Sequence, residues 1–570
     1  MFHFYLKRSL IFDYIYCKLS CGLIFKTMNR TKKIRTLLLI CSCLILLIMF
    51  FYQRKISATV ADVKIEKRTI KKSKKEVPIE TLIHPKKKLL FDFTYEHSLK
   101  DSSFFSADKF TGFSQNYSND TLSVFCFRGN PNRTSPSRGY VSGRPIEIID
   151  DWIYTTNYDT SKTKFGVWGG GSGWTGQPLI IHWNKEQKKK LHIADSTFCN
   201  DPNALEVIIG SLCGDIYFLN LATGTPTRTQ LSIHNTIKGT VSVDPRKNGL
   251  LYVGQGIPNL GRMGAYVFDM FEEKEIYHIP GIDRFANRSW GAFDSNPLID
   301  INSGTVFWPG ENGLIYKFTI DSNKNISAPL KFKYNHNKIF RLGIESSMSV
   351  QNQFGFIADN SGTIMCIDLI KMAPVWNVDN FDDSDASIVF DTDSINHFSI
   401  YVGNEVDKRG PISESSFRKL NAVNGDEIWS ISRKCYGSKI NGKTNSGGIL
   451  STPVVGKHKG ENIVYTIFSR VDSINKSELV AVDKKSGKEL FSFFLDQYSW
   501  ASPVDFYDKK GNIYLFFTDL IGNLYIIDGQ TGELLAKKKT DLIIEASPVI
   551  INDRIVFASR GKSILSFKIK

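Results

Sequence analysis

Eight residues with ligand-binding side chains share one recurring place in this sequence, directly before short apolar segments. Aromatic and arginine side chains are enriched in binding hot spots, and carboxylates attract cations, so such a set suits a peptide, a glycan or a cation. In the alternative interpretation the tryptophans fill gaps in the fold and the acids cap turns. The eight residues are Trp174, Trp290, Asp294, Arg341, Glu345, Asp385, Trp500 and Glu545.

Familiar catalytic patterns do not occur in the chain. There is no Gly-x-Ser-x-Gly elbow between a strand and a helix, no His-Glu-x-x-His and no phosphate-binding loop. The Gly-rich residues 168–174 precede a strand, so they lack the helix N-terminus that binds phosphate. The cysteines have no metal-ligand spacing, and the carboxylates form no recognisable calcium cluster. The sequence therefore predicts no catalytic residue and no metal site.

One strand pattern recurs seven times and indicates the fold that must position these residues. Residues 214–220 read Gly-Asp-Ile-Tyr-Phe-Leu-Asn, and residues 522–528 read Gly-Asn-Leu-Tyr-Ile-Ile-Asp. Strand-patterned repeats with a period near fifty residues are typical of β-propellers. The copies end at positions 220, 269, 319, 368, 421, 483 and 528, so their spacings are 49, 50, 49, 53, 62 and 45 residues.

A second marker counts the blades independently. Short apolar strands open at positions 177, 240, 296, 347, 386, 452, 502 and 547, several of them with Pro as the second residue. Pro is tolerated at the start of a strand because no ladder hydrogen bond is lost there. These openings predict an all-β, eight-bladed propeller, with seven blades as the alternative. The last blade has three strands, so we expect residues 150–156 to close the ring as its fourth strand.

The chain before the propeller divides into three parts. Residues 1–35 are basic, and because Met28 resembles a natural start, residues 1–27 are interpreted as a misassigned extension. Residues 36–52 are apolar and uncharged, which is the lower length limit for a transmembrane helix. We predict an uncleaved anchor there, with a cleaved signal peptide as the alternative. Residues 53–145 form a basic and then polar linker, of which residues 91–145 are expected to pack loosely, and residues 146–570 form the propeller.

The net charge of +15 is a property of the N-terminal tail. Residues 1–90 contain 20 Lys and Arg against 5 Asp and Glu, whereas residues 91–570 contain 52 of each. A propeller without net charge is not suited to binding nucleic acid through a basic face. A short basic segment before an apolar run is typical of a signal anchor, so we expect the propeller to lie outside the cytoplasm.

Residues 127–134, Phe-Arg-Gly-Asn-Pro-Asn-Arg-Thr, resemble the leader of PQQ-like repeat propellers, and the strand repeats resemble that class over about residues 125–570. The class includes quinoprotein dehydrogenases, which use pyrroloquinoline quinone with calcium, and BamB, a non-catalytic scaffold lipoprotein of outer-membrane assembly. Resemblance to the dehydrogenases implies an adjacent Cys-Cys pair, which this sequence lacks. It also implies outer-strand tryptophans in most blades, whereas here they are Trp152, Trp376 and Trp429. The non-catalytic, BamB-like branch is therefore favoured.

The sequence as a whole predicts a membrane-anchored propeller in the bacterial periplasm or cell envelope. Its predicted role is a non-enzymatic scaffold that binds envelope or membrane proteins through a sheet edge or through the eight residues above. Two alternatives stay open: a diverged quinone- or metal-dependent oxidoreductase, and a module that binds or senses carbohydrate or another ligand. We expect no cofactor, with pyrroloquinoline quinone and calcium as the alternative.

Overall fold

The computed structural model describes residues 85–90, 92–98, 109–114, 117, 120–161, 163, 166–173, 176–258, 261–336, 342–394, 397–437 and 446–570. These residues form eight sheets, each built on four antiparallel strands, that are the blades of a propeller, which confirms the predicted all-β, eight-bladed fold. The predicted anchor, residues 36–52, lies outside the described residues. Within the described ranges, no helix is long and apolar enough to span a membrane.

Each blade contains four main strands, numbered from the centre outward, and the blades are numbered along the chain. Blade 1 consists of Leu179–His182, Leu205–Gly210, Asp215–Asn220 and Leu231–Ser232, and its first connection holds helices α1 (Lys185–Lys190) and α2 (Ser196–Asn200). Blade 2 consists of Ser242–Val243, Leu250–Gly254, Gly264–Asp269 and Lys274–Pro280. Blade 3 consists of Leu298–Ile299, Thr305–Pro309, Leu314–Thr319 and Leu330–Asn335, with Thr94–His97 as a fifth, outermost strand. Blade 4 consists of Ser349–Gln351, Phe354–Ala358, Thr363–Asp368 and Ala373–Asp379.

The second half of the ring repeats this plan with longer strands. Blade 5 consists of Val389–Ser394, His397–Gly403, Ile412–Asn421 and Glu427–Tyr436. Blade 6 consists of Val454–Val455, Ile463–Ser469, Ser477–Asp483 and Glu489–Leu495, joined by Glu405–Val406 and Gly447–Gly448. Blade 7 consists of Val504–Tyr507, Ile513–Thr518, Asn523–Asp528 and Leu534–Lys539. Blade 8 consists of Val549–Ile551, Arg554–Ala558, Ser563–Ile569 and Ile148–Thr155, with Ser137–Arg138 beside its first strand.

The ring closes as the sequence predicts. Ile148–Thr155, which precedes blade 1 in the chain, pairs antiparallel with Ser563–Ile569 at the end of the chain. The fourth strand of blade 8 therefore comes from the opposite end of the propeller sequence. Closure of this kind leaves no open end of the ring between the first and last blades.

Outer-strand tryptophans join neighbouring blades. The indole Nε1 of Trp152, Trp376 and Trp429 each donates to a backbone carbonyl in the next blade, at 2.9 to 3.0 Å. Each ring lies against a turn glycine with positive φ, where a Cβ atom would come within 2.8 Å of the indole. At the junction of blades 6 and 7, Phe491 takes the tryptophan's place against Gly532. The Thr-Gly and Asn-Gly turns of the repeat are therefore docking surfaces for the preceding blade.

A ring of side-chain hydroxyls joins the blades at the centre. The N–H of Gln177 donates to the Thr240 hydroxyl at 2.9 Å, and the N–H of Asn296 donates to the Ser347 hydroxyl at 2.8 Å. The same bond recurs from blade 4 to blade 8 through Ser347, Ser387, Thr452, Ser502 and Ser547, at 2.8 to 3.1 Å. The strand openings seen in the sequence are thus the positions that bind adjacent blades. In blade 5 the hydroxyl belongs to Ser387, one residue after the predicted opening.

Residues 123–138 fill the centre of the ring, where we had expected a loosely packed polar segment. Arg128 is buried and donates to the carbonyl oxygens of Pro503 and Pro453 at 2.6 and 3.2 Å. Arg133 is also buried and donates to the carbonyl oxygens of Met348, Phe127 and Asn296 at 2.8 to 3.1 Å. The expectation was wrong for residues 123–138. Backbone carbonyls at the starts of the first strands accept hydrogen bonds from these arginines, so the polar side chains can be buried with their donors satisfied.

This central segment contacts every blade. Its backbone bonds to blade 1 through Val124, to blade 2 through Phe125, to blade 4 through Pro131 and to blade 5 through Asn132. Asn296 of blade 3 accepts from the Phe127 N–H, and the carbonyls bound by Arg128 belong to blades 6 and 7. Ser137–Arg138 then runs parallel to the first strand of blade 8. We call residues 123–138 the plug.

Candidate functional site

Two groups of loops meet at one end of the ring, which we call the mouth. One group leads into the first strand of each blade, and the other connects the second and third strands. Six of the eight residues singled out in the sequence are described by the structure, and all six belong to the first group. Trp174 and Arg341 lie outside the described residues. The structure places Trp290, Asp294, Glu345 and Asp385 at blades 3 to 5, and Trp500 and Glu545 at blades 7 and 8.

The first carboxylate set consists of Asp294, Glu311 and Glu345, whose nearest oxygens lie within 4.8 Å of one another. Asp294 and Glu311 are 1% and 2% exposed. Trp290 Nε1 donates to Glu311 Oε2 at 2.6 Å, and the Lys238 ammonium forms a buried ion pair with Asp294. Glu311 Oε1 is buried and has no hydrogen-bond partner among the described residues. Burial, and then the charges of Glu345 and Asp294, raise the pKa of Glu311 well above its usual range.

The second carboxylate set consists of Asp383, Asp385 and Glu405, whose nearest oxygens also lie within 4.8 Å of one another. The Asp385 N–H donates to Glu405 Oε1 at 2.9 Å, and the two carboxyl groups are hydrogen-bonded to each other. Burial raises the pKa of Asp383 to about 7. Burial, and then the charge of Glu405, raise the pKa of Asp385 well above its usual range, and burial, and then the charge of Asp383, do the same for Glu405. Without a bound cation, Asp385 and Glu405 therefore share a proton.

Glu345 connects the two sets electrostatically. Its charge raises the pKa of Glu311 in the first set and the pKa values of Asp383, Asp385 and Glu405 in the second. Lys238 and Arg288 oppose this negative charge at the first set, and Lys408 opposes it at the second. The blade 3–5 side of the mouth therefore carries an excess of buried negative charge, which favours protons or bound cations.

Local sequence explains how each carboxylate reaches the mouth. Asp294, Glu345, Asp383 and Asp385 precede first strands, whereas Glu311 and Glu405 follow the second strands of blades 3 and 5. Glu311, Asp383 and Glu405 were not predicted as site residues, because carboxylates are scattered along the sequence without a recognisable cluster. The available signal was an acid one or two residues after a glycine at or directly after the end of a second strand, as in Gly310-Glu311 and Gly403-Asn-Glu405.

The opposite side of the mouth has a different character. Arg560 forms an ion pair with Glu545 at 2.7 Å and lies over the Trp168 ring at 5.2 Å. Arg470 lies over the Tyr498 ring at 4.2 Å. Blades 6 to 8 thus present arginines on aromatic rings, and Glu545 is already paired with Arg560.

The fold is shared with solved enzymes. A europium-containing methanol dehydrogenase superposes with a TM-score of 0.53 at 10% identity, covering 80% of this chain and 99% of its own. The quinohemoprotein alcohol dehydrogenase ADHIIG from Pseudomonas putida HK5 superposes with a TM-score of 0.55 at 9% identity, covering 81% and 83%. BamB from Moraxella catarrhalis gives a TM-score of 0.42 at 16% identity, covering 69% and 96%, and a score below 0.5 does not establish a shared fold.

Comparison of the sequence with known proteins does not assign the chain to a family. No protein-family model matches the chain, and no curated protein matches its sequence. At 9 to 10% identity the likeness to the dehydrogenases establishes the propeller fold alone. The resemblance to PQQ-like propellers seen in the sequence is therefore confirmed as a fold, and function must be argued from the mouth.

Proposed function

We propose that this chain is a non-catalytic binding propeller, held outside the cytoplasm by residues 36–52, whose mouth binds a multivalent metal cation. The observation that carries the proposal is the convergence of six carboxylates on the blade 3–5 side of the mouth. Hard multivalent cations prefer oxygen ligands, and carboxylates supply both the oxygens and the charge. Asp383, Asp385 and Glu405 are the residues that would hold the cation.

The second set suits a cation better than the first. In the first set the buried ammonium of Lys238 already neutralises Asp294. In the second set Lys408 pairs with Asp383 at 3.0 Å, but its side chain is 48% exposed and can turn into solvent. A cation that replaces Lys408 and the proton shared by Asp385 and Glu405 meets three carboxylate oxygens without breaking a buried ion pair.

The two enzymes with the same fold are named for a europium ion and for a quinone cofactor, and the mouth fits these two groups differently. Three convergent carboxylates fit a multivalent cation. Pyrroloquinoline quinone carries three carboxylates of its own, which the six carboxylates of the mouth would repel. The described cysteines, Cys126, Cys199, Cys213, Cys366 and Cys435, are all free and none is adjacent to another. The residues present therefore support a cation site and not a quinone site.

Calorimetric titration of the full-length protein tests the proposal. After removal of metal with EDTA, Ca²⁺ and Tb³⁺ should each bind with proton release, because the protonated carboxyls must ionise. The double variant Asp385→Asn, Glu405→Gln should bind at least about tenfold more weakly, since two charged ligands are lost. Glu545→Gln is the matched control: it removes a mouth carboxylate that is already paired with Arg560.

Three results would contradict the proposal. These are the absence of cation binding to the metal-free protein, equal binding by the double variant and the wild type, and oxidation of an alcohol by the metal-loaded protein with added quinone. Oxidation of an alcohol would show that the protein is an oxidoreductase and not a non-catalytic binding protein.

A scaffold role toward envelope or membrane proteins is a second candidate, and a separate observation favours it. The fourth strands of blades 5 to 8 expose large apolar side chains, which mark interaction surfaces when they lie close together. These side chains are Ile428, Leu490, Phe494, Leu534 and Ile153. Cross-linking in the envelope should recover a protein partner with the wild type and lose it with Leu490→Lys. Glu186→Lys, which places an exposed lysine on α1 of blade 1 and away from these strands, should retain the partner, and equal recovery from both variants would exclude this surface.

A further inference from the structure

The end of the ring opposite the mouth contains a cavity of about 970 Å³ between blades 5 and 6. First strands begin at the mouth, so their far ends and the ends of third strands lie at this opposite side. The cavity is formed by such ends: Asp391 in the first strand of blade 5, Lys419 in its third strand, and Lys484 after the third strand of blade 6. Its volume is that of a small-molecule site.

Lysines dominate the charged lining of this cavity. They are Lys419, Lys457, Lys484 and Lys485, and the carboxylates that face them are Asp391 and Glu461. His397 and His458 also line it. Among the described lining residues, four ammonium groups are thus opposed by two carboxylates. The resulting excess of positive charge is the reverse of the balance at the mouth.

Neutral groups of the plug hold the ammonium group of Lys457 in this cavity. Lys457 Nζ donates to the Thr134 carbonyl oxygen at 2.6 Å and to the Ser135 hydroxyl at 2.9 Å, both on the plug. Lys419 Nζ donates to the Lys484 carbonyl oxygen at 2.8 Å. The neutral partners of Lys457 fix the position of its ammonium group but leave its charge uncompensated. Lys484 differs, because its Nζ pairs with Asp391 at 2.8 Å.

The electrostatic surroundings of Lys457 agree with an uncompensated charge. Burial lowers the pKa of Lys457, and the neighbouring Arg138 and Arg128 lower it further, against the opposing effect of Asp505. A bound anion in the cavity would relieve this repulsion. The plug, which carries both arginines, therefore adds to the positive potential on this side of the ring.

The N-terminal segment brings more positive charge to the cavity entrance. The Lys86 N–H donates to the carbonyl oxygen of Val423, a cavity-lining residue, at 2.7 Å. Lys88 pairs with Asp426 of the same turn at 2.6 Å, which fixes the basic run 86–88 beside this turn. Since both ions of that pair are about half exposed, it neutralises little of the local potential.

We propose that the cavity between blades 5 and 6 binds an anion that bears a phosphoryl group. Several ammonium groups that approach from different strands suit a tetrahedral, multiply charged oxyanion better than a planar carboxylate, because lysine acts as a point charge without a preferred plane. The phosphoryl group comes either from a free phosphate compound or from the headgroup of an anionic lipid. This proposal is independent of the cation site, which lies at the other end of the ring.

Calorimetry on the full-length protein in detergent tests the proposal with two probes. Inorganic pyrophosphate represents the free source, and dihexanoyl phosphatidic acid, which is soluble, represents the lipid source. Binding should weaken as salt concentration rises. Lys484→Gln should reduce affinity at least about tenfold, since a hydrogen bond to a charged group is lost. Lys485 is exposed, so Lys485→Glu should keep the fold and still reduce affinity about threefold or more.

The matched control is Lys185→Glu, which reverses an exposed charge on α1 at the same end of blade 1. It should bind both probes like the wild type. Binding of both probes in competition assigns a general phosphoryl site, and binding of one probe alone assigns its source. The proposal is overturned if neither probe binds, or if Lys485→Glu and Lys185→Glu bind equally well.

Discussion

Substitution of Asp383 by Asn should change how the stability of the metal-free protein depends on pH. In the folded protein, burial raises the pKa of Asp383 to about 7 from a usual value of 3.8, with Glu345 adding to the rise and Lys408 opposing it. The folded state therefore holds a proton that the unfolded chain has already lost. The stability that this proton on Asp383 contributes is fully present below about pH 4 and is lost as pH rises through 7.

The size of this effect follows from the pKa difference. The rise is about three units, and each unit corresponds to about 1.4 kcal/mol, so the upper limit is about 4 kcal/mol. The side chain is 14% exposed, so solvent screening removes only part of this energy. We expect the free energy of unfolding of Asp383→Asn to rise by about 2 to 4 kcal/mol relative to that of the wild type as pH increases from 4 to 8.

Urea unfolding in EDTA, followed by tryptophan fluorescence from pH 4 to pH 8, measures the difference. Glu545→Gln should reproduce the wild-type profile, because its ion pair with Arg560 lies outside the two carboxylate sets. Added Tb³⁺ at pH 8 should stabilise the wild type and leave Asp383→Asn nearly unchanged. A wild-type stability that is flat or rises between pH 4 and pH 7, or a parallel profile for Asp383→Asn, would refute the reasoning.

Three further substitutions test the fold that carries the mouth. Arg133→Met removes hydrogen bonds to buried carbonyls and should lower the free energy of unfolding in urea by more than about 3 kcal/mol. Its control, Arg144→Met, alters an exposed ion pair and should lower it by less than about 0.5 kcal/mol. Ser347→Ala removes one bond between blades and should cost about 1 kcal/mol in the same assay. Trp152→Ala should lower the free energy of unfolding by about 3 kcal/mol and speed hydrogen exchange in Ser563–Ile569, the partner of the closing strand. Unchanged exchange there would show that Ile148–Thr155 does not close the ring.

The blades could be predicted because their signals are local. A third strand that ends in Asn or Asp before a Gly turn repeats along the chain, and that turn is the docking surface for an outer tryptophan such as Trp152 or Trp376. The hydroxyl or amide residue that opens each first strand binds the next blade, so it recurs with the same period. The closing strand was recognisable since it copies the outer strands of other blades.

The plug and the carboxylate sets could not be predicted in the same way. Arg128 and Arg133 carry the composition of a surface loop, and their burial depends on carbonyls that only the closed ring brings together. Glu311 and Glu405 are separated by almost a hundred residues and by two blades. Their convergence with residues that precede first strands depends on the angle between blades, which no local pattern encodes. The sequence located one loop group of the mouth and missed the other.

Anomalous diffraction from a crystal of the protein soaked in Tb³⁺ at pH 8 shows directly whether the second carboxylate set binds a cation. Our account predicts one strong anomalous peak between Asp383, Asp385 and Glu405, with carboxylate oxygens at about 2.3 to 2.6 Å, as for calcium sites. The Glu405→Gln crystal should lose most of this peak. No peak at the mouth of the wild type, or a peak that Glu405→Gln leaves unchanged, would contradict the account.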